Sequence, residues 1–100
     1  MANFTFTFHP LVQGEVRDAY QFYDSRKSGL GDEFIDALDQ ILHLISENPN
    51  LFAVDFKEVR KAPLKRFPFS VYYEIYEDQI LIYSIFHQSR KPEGWKERTQ

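Results

Sequence analysis

The sequence predicts an α+β fold of order β-α-α-β-β-β, in which an antiparallel helix pair packs on one face of a mainly antiparallel four-stranded sheet. Three observations lead to this fold: an initial Phe/Thr alternation, two apolar stripes of helical spacing, and dense runs of β-branched and aromatic residues in the second half. Two consecutive amphipathic helices can bury their stripes against one sheet face. Because 43% of the 100 residues are hydrophobic and 17% aromatic, we expect a single domain over residues 1–100.

The first half of the chain predicts one strand and two helices. Phe and Thr alternate over residues 3–9, which gives a strand with one apolar face, and Pro10 suits the first turn of a helix. Residues 28–31 interrupt that helix, and Asn48-Pro49 ends the second one. The stripe of the first helix is Val12, Val16, Ala19 and Tyr23, and that of the second is Phe34, Leu38, Ile41 and Ile45.

The second half predicts strands joined by polar segments. We expect a loop over residues 50–55, a strand over 56–62, and a hairpin of strands 69–76 and 79–87. Both faces of the hairpin are largely apolar, so it belongs at the centre of the sheet. Simple alternation places Ile80, Ile82 and Ser84 on one face of the last strand and Leu81, Tyr83 and Ile85 on the other. The connection through the helices places the first strand beside a later one.

Composition excludes several classes of protein. The chain has no Cys, which excludes a disulfide scaffold, a cysteine metal site and thiol catalysis. Its three His lack partners at ligand spacing, so we expect neither a metal nor a cofactor. The sequence shows no secretory signal and no apolar run long enough to span a membrane, so we expect a cytoplasmic protein.

Charge is distributed unevenly along the chain. The net charge is −3, with three basic and eight acidic side chains in residues 1–50 and nine basic and seven acidic in residues 51–100. The stretch 57–66, here called the basic tract, holds Lys57, Arg60, Lys61, Lys65 and Arg66 against a single acid. Two interpretations stay open for it: a surface that meets phosphate or an acidic peptide, and an ordinary solvated strand.

A set of short motifs occurs in a characteristic order. The motifs are Ala19-x-x-x-Tyr23, Gly31-x-x-Phe34, Asn48-Pro49, Arg60, Phe67-Pro68-Phe69-x-x-x-Tyr73 and a tail with His87, Arg90 and Trp95. Together they resemble the RelE/ParE superfamily of small toxins from type II toxin–antitoxin pairs, and the ParE-type, or plasmid-stabilisation, members most. The resemblance covers nearly the whole chain and implies an antitoxin as partner.

Three features separate the chain from the ribosome-dependent nucleases of this superfamily. Those nucleases tend to carry Arg where Ser70 follows Phe69 here, and they end the last strand with a catalytic Tyr, whereas no Tyr follows Tyr83. They are usually strongly basic, whereas this chain is acidic. The resemblance therefore implies a ParE-like growth inhibitor that binds and blocks DNA gyrase.

The candidate site residues combine chemistry with the resemblance. A His at a strand end can act as a general acid or base in RNA cleavage while Arg stabilises the phosphate, so His87 and Arg90 would be catalytic in a nuclease. The alternative for His87 is a structural role, either capping a carbonyl or packing on Trp95. The residues expected to bind the antitoxin or the target are Arg60, Lys61, Lys65, Arg66, Arg90 and Trp95.

Three functions stay open at this point. The first is a toxin that blocks a target such as DNA gyrase. The second is a ribosome-associated mRNA endoribonuclease that uses His87 with Arg60, Lys61 and Arg90, and the third is a degenerate member that only binds its antitoxin. We expect a cognate antitoxin as partner and no membrane, with a homodimer or a toxin–antitoxin heterotetramer as the assembly.

Overall fold

The computed structural model describes residues 4–88 and 96–99. Its elements are β1 (Thr5–Phe8), α1 (Val12–Arg26), α2 (Leu30–Glu47), β2 (Val54–Phe56), β3 (Val59–Pro63), β4 (Phe69–Tyr76) and β5 (Gln79–His87). The strands form one sheet in the order β1-β5-β4-β3-β2, with β1 parallel to β5 and the other pairs antiparallel. The predicted fold class is confirmed, because two helices pack on one face of a mainly antiparallel sheet whose centre contains the β4–β5 hairpin.

The sheet has five strands instead of the predicted four, because the segment predicted as a loop contains β2. Phe56 pairs with Val59 across a two-residue turn, so the predicted strand over 56–62 is divided at Lys57 and Glu58. Lys57 adopts a φ of 53°, the left-handed conformation found in tight hairpin turns. Such turns are usually marked by Gly or Asn, and neither residue is present here to reveal the break.

The connection between α1 and α2 is short and tight. The Asp24 carboxylate accepts hydrogen bonds from the backbone N–H groups of Gly29 at 3.0 Å and Gly31 at 3.3 Å. These bonds satisfy donors at the N-terminus of α2, which begins two residues earlier than predicted. A Cβ atom on Gly31 would lie 2.9 Å from both the ring and the backbone oxygen of Tyr20. Glycine therefore allows the two helices to approach each other closely at this point.

The core lies between the helices and one face of the sheet. The predicted α2 stripe is buried, with exposed fractions of 5% or less. It joins one cluster with the helix-facing strand residues Val71, Tyr73, Ile80, Ile82 and Ile85. Phe34 is fully buried, and its ring centroid lies 5.6, 5.5 and 5.2 Å from those of Tyr23, Phe67 and Phe69. This aromatic cluster joins α1, α2 and the start of β4.

A β-bulge in β5 changes which residues face the helices. Two consecutive residues of β4 pair with Ile82 and Ser84, so Tyr83 between them is extra. Ile85 consequently lies in the helix-facing core with Ile82. The prediction from simple alternation, which placed Ile85 on the opposite face, was wrong because one inserted residue reverses the alternation beyond it.

Glu15 and Arg98 close the edge of β5 that β1 leaves open. The Glu15 carboxylate accepts hydrogen bonds from the backbone N–H of Ile85 at 3.1 Å and from the hydroxyl of Ser84. Arg98 donates to the carbonyl oxygen of Tyr83 at 2.9 Å and pairs with Glu15 at 2.9 Å. The two side chains are only 18% and 11% exposed. This ion pair fixes the C-terminal turn, residues 96–99, against α1 and the β5 bulge.

Candidate protein-binding site

An apolar groove of about 770 Å³ runs between α1, α2 and the end of β1. We call it the helix groove; its apolar lining includes Phe8, Val12, Val16, Ile35, Leu38 and Leu42. Phe8 is 46% exposed at the end of β1. In α1 Val12 and Ala19 are buried, whereas Val16 and Tyr20, which line the groove, are only partly buried.

The two rims of the helix groove carry opposite charges. Arg17 lies exposed on the α1 rim, and Asp39 lies exposed on the α2 rim. Tyr20 also lines the groove, and its hydroxyl donates to the Asp32 carboxylate at 3.3 Å. The negative charges of Asp32 and then Asp24 raise the pKa of Tyr20. The groove thus combines an apolar floor with a cation on one side and a carboxylate on the other.

Arg60 of the basic tract holds the loop between α2 and β2. Its guanidinium donates to the carbonyl oxygens of Phe52 at 2.5 Å and Asn50 at 3.5 Å, and to the side-chain oxygen of Asn50 at 3.3 Å. Beside it, the buried Tyr73 hydroxyl donates to the carbonyl oxygen of Pro49 at 2.7 Å. Arg60 therefore satisfies loop carbonyls that would otherwise need water.

Lys61 lies on the other face of the sheet. Residues opposite each other on paired strands share a face, and successive residues of one strand alternate. Arg60 is opposite Tyr73 of the helix-facing core, whereas Lys61 is opposite Tyr72, which belongs to a second cluster on the far face. Arg60 and Lys61 therefore do not form a single cationic surface, although they are adjacent in the sequence.

Lys65 and Arg66 lie in the connection between β3 and β4. Lys65 is exposed. Arg66, with a φ of 71°, donates to the Glu33 carboxylate of α2 at 2.7 Å, and the two side chains are 65% and 41% exposed. An exposed pair of this kind contributes little to stability and exchanges easily with another carboxylate. These two cations are accessible, and Arg66 lies beside the first turn of α2.

His87 ends β5 on the helix-facing side of the sheet. It pairs with Phe69, and the two ring centroids are 5.1 Å apart. The same side chain lines a second cleft of about 460 Å³ that includes Glu15, Phe22 and Tyr23 of α1. His87 is therefore half-buried and packs against Phe69.

The residues predicted for RNA cleavage are not brought together among those that the structure describes. His87 faces α1, Arg60 is bonded to the α2–β2 loop, and Lys61 lies on the far face of the sheet. Ser70 is fully buried, and its hydroxyl accepts a hydrogen bond from the Gln88 side chain at 3.1 Å. No phosphate could contact these three candidates at once in this arrangement.

Two predicted site residues, Arg90 and Trp95, lie outside the described residues. Within residues 4–88 and 96–99, no cluster of His, Asp or Glu could hold a metal ion. Within the same ranges, neither helix has the length and apolarity needed to cross a bilayer.

Comparison with known proteins gives the family. Over residues 6–92 the sequence matches the family model described as the ParE toxin of type II toxin-antitoxin system, parDE. The chain belongs to the ParE toxin family. The superfamily predicted from the motifs is confirmed. Among curated proteins, none matches the sequence.

A solved structure shows the same fold. It is a chain from the chromosomal ParDE TA system of P. aeruginosa, which superposes with a TM-score of 0.74 at 16% sequence identity. The match covers 84% of this chain and 95% of that chain. At this identity the likeness concerns the fold, and it supports the two-helix, mixed-sheet architecture of this ParE family member.

Sequence reasoning missed two groups of residues in this ParE family member. The stripe of α1 joins the core as predicted, but sequence reasoning did not indicate that Val12 and Val16 also line the helix groove. It also gave no role to Glu15 or Arg98. A signal for the groove was present, because Tyr20 widens the apolar surface of α1 beyond one stripe on the side that lines the groove. No local signal joins Glu15 to Arg98, which lie at opposite ends of the chain.

Proposed function

We propose that this ParE family chain is the toxin of a type II toxin–antitoxin pair. Its cognate antitoxin neutralises the toxin by binding the helix groove. The toxin itself acts by binding and blocking a target such as DNA gyrase. The observation that carries the binding mechanism is the separation of His87, Arg60 and Lys61 on different parts of the sheet. A cleavage mechanism needs such groups around one phosphate. We place both interactions in the cytoplasm.

The helix groove supports an antitoxin that binds as an amphipathic segment. Helix-in-groove recognition uses a preformed apolar concavity between elements of the receptor, and apolar residues at helical spacing fill it. The groove meets this description through its apolar lining and the exposed ring of Phe8. A disordered antitoxin segment would fold as it binds, burying apolar surface of α1 that the core leaves open.

We assign contacts with the target to the cations that the sequence analysis predicted for binding. Of the predicted cations, Lys65 and Arg66 are exposed and Lys61 is partly exposed, and Arg90 and Trp95 complete the predicted set. Arg60 is a weaker candidate for direct contact, because its guanidinium already bonds the α2–β2 loop. Accessible cations and an aromatic side chain suit a protein target with carboxylates at its surface.

Phe8→Asp should weaken antitoxin binding by about tenfold or more, because a carboxylate would have to be desolvated inside the helix groove. The matched control is Leu51→Asp, since Leu51 is 53% exposed in the α2–β2 loop, away from the groove. The candidate antitoxin is the protein encoded by the reading frame next to this gene. Calorimetry with that protein measures the affinity, and thermal unfolding shows that both variants fold. Equal affinities for the two variants would remove the groove from the interface.

His87→Ala should leave toxicity nearly unchanged. Loss of a general acid or base typically costs about 10²–10⁴-fold in rate, whereas a blocking toxin depends on contacts and not on proton transfer. The measurement is growth after induced expression in bacteria, with parallel assays for cut mRNA and for DNA damage. Site-specific mRNA breaks that vanish in His87→Ala would favour the endoribonuclease, and normal growth with the parent chain would favour the degenerate member.

A further inference from the structure

The two rims of the helix groove carry charges of opposite sign, an arrangement that burial of the apolar lining does not require. The α2 rim carries Asp39, and Asp36 and Asp32 lie one and two turns before it on the same side of the helix. All three are exposed. Helix α2, from Leu30 to Glu47, contains no Lys or Arg. Asp39 lines the groove, and Asp36 and Asp32 extend the negative charge along the same side of this helix.

The α1 rim has the opposite character. Arg17 is the charged residue of α1 that lines the groove. Asp24, one turn beyond the groove, uses its carboxylate to accept two backbone N–H groups at the start of α2. The carboxylate of Asp24 is thus engaged within the protein, while the Arg17 guanidinium is exposed at the rim. A partner lying between the helices meets a cation on one flank and carboxylates on the other.

We propose that the antitoxin segment in the helix groove is an amphipathic helix with polarised flanks: Lys or Arg residues along the flank next to α2, and an acidic residue on the flank next to Arg17. This inference rests on the proposed function, and it adds the chemistry and the orientation of the bound segment. Asp32 and Asp39 are two helical turns apart, about 10 Å, which matches the spacing of residues i and i+7 on a helix lying alongside. Complementary charges across an interface fix orientation and speed association.

The charge pattern also makes this segment basic where it contacts α2, although the toxin's basic tract alone would suggest an acidic partner. The carboxylates of the α2 rim lie next to the groove, while Arg60 and Lys61 are separated from each other by the sheet. Charges at the rim of an interface act mainly on specificity and association rate. The α2 rim therefore selects among antitoxin segments that would all fill the apolar groove.

The test uses paired charge reversals on the full-length toxin and the protein encoded by the adjacent reading frame. Asp36→Lys with Asp39→Lys should weaken binding by about tenfold or more at low salt, and the difference should shrink in 0.5 M salt because exposed charges are screened. Arg17→Glu should also weaken binding, although it changes the net charge in the opposite direction. The control is Glu58→Lys with Glu77→Lys, which makes the same charge change in two hairpin turns outside the groove lining.

The outcomes separate this inference from the proposed function. If the adjacent protein binds the parent toxin but the two rim reversals leave affinity unchanged or raise it, the polarised partner is ruled out and the antitoxin assignment stands. If the adjacent protein does not bind the parent toxin, the proposed function fails, and this inference fails with it. Restored binding of the Asp36→Lys, Asp39→Lys toxin by an antitoxin with Lys-to-Glu changes on one flank would support the predicted orientation.

Discussion

Phe34→Ala is expected to lower the free energy of unfolding by about 3–5 kcal/mol, which is a large share of the stability of a domain of this size. The Phe34 ring is fully buried and contacts aromatic rings from α1 and β4. Its removal leaves a cavity at the point where both helices meet the sheet, and these rings cannot collapse into it without losing their contacts with one another. Urea denaturation monitored by circular dichroism measures the change.

The matched control for this prediction is Phe22→Ala. Phe22 lies on α1, is 51% exposed, and contacts Tyr23 at its edge with ring centroids 5.2 Å apart. Its truncation should cost about 1 kcal/mol or less, because most of the ring is already in water. If Phe34→Ala proved as stable as Phe22→Ala, the helix α2 would not be packed on the sheet as described.

The helices and the central hairpin could be predicted because the spacing of their apolar residues in the sequence indicates which side chains are buried. The α2 stripe repeats at helical period and is buried along its whole length. The β4–β5 hairpin is apolar on both faces, and the structure places it at the centre of the sheet. In both elements the local preference and the tertiary environment agree, which is the condition under which periodicity alone is sufficient.

The bulge in β5 could not be predicted because the groups that accommodate it are distant in the sequence. Glu15 bonds Ser84, which is 69 positions later, and Arg98 bonds the carbonyl oxygen of Tyr83. The stretch 79–87 read alone fits an uninterrupted strand. Only the approach of α1 and the C-terminal turn supplies partners for the backbone groups that the bulge leaves unpaired.

The candidate site shows how a charged tract differs from a charged surface. Arg60 and Lys61 are adjacent in the chain but lie on opposite faces of the sheet, and Arg66 pairs with Glu33 of α2. The helix groove, in contrast, combines residues of β1, α1, α2 and β5, which are distant from one another in the sequence. Alternation along a strand disperses such a tract, while packing of helices against a strand creates the concavity.

Glu15→Ala should destabilise the protein by about 3–5 kcal/mol, because removal of one partner leaves a buried charge uncompensated. Arg98 would keep one hydrogen bond to the carbonyl oxygen of Tyr83, while the N–H of Ile85 and the hydroxyl of Ser84 would lose their acceptor. The loss should be accompanied by release of the C-terminal turn, since the ion pair joins that turn to α1. Denaturation gives the energy, and hydrogen exchange of the backbone at residues 96–99 reports the release.

Two further variants separate the charge of Glu15 from its hydrogen bonds. Glu15→Gln keeps an acceptor for Ile85 and Ser84, so it should cost less than Glu15→Ala, about 1–3 kcal/mol. Combining Glu15→Gln with Arg98→Met removes both charges, and the double variant should be more stable than the sum of the two single changes predicts. Strict additivity, with unchanged exchange at residues 96–99 in Glu15→Ala, would mean that the pair does not hold the C-terminal turn to α1 in solution.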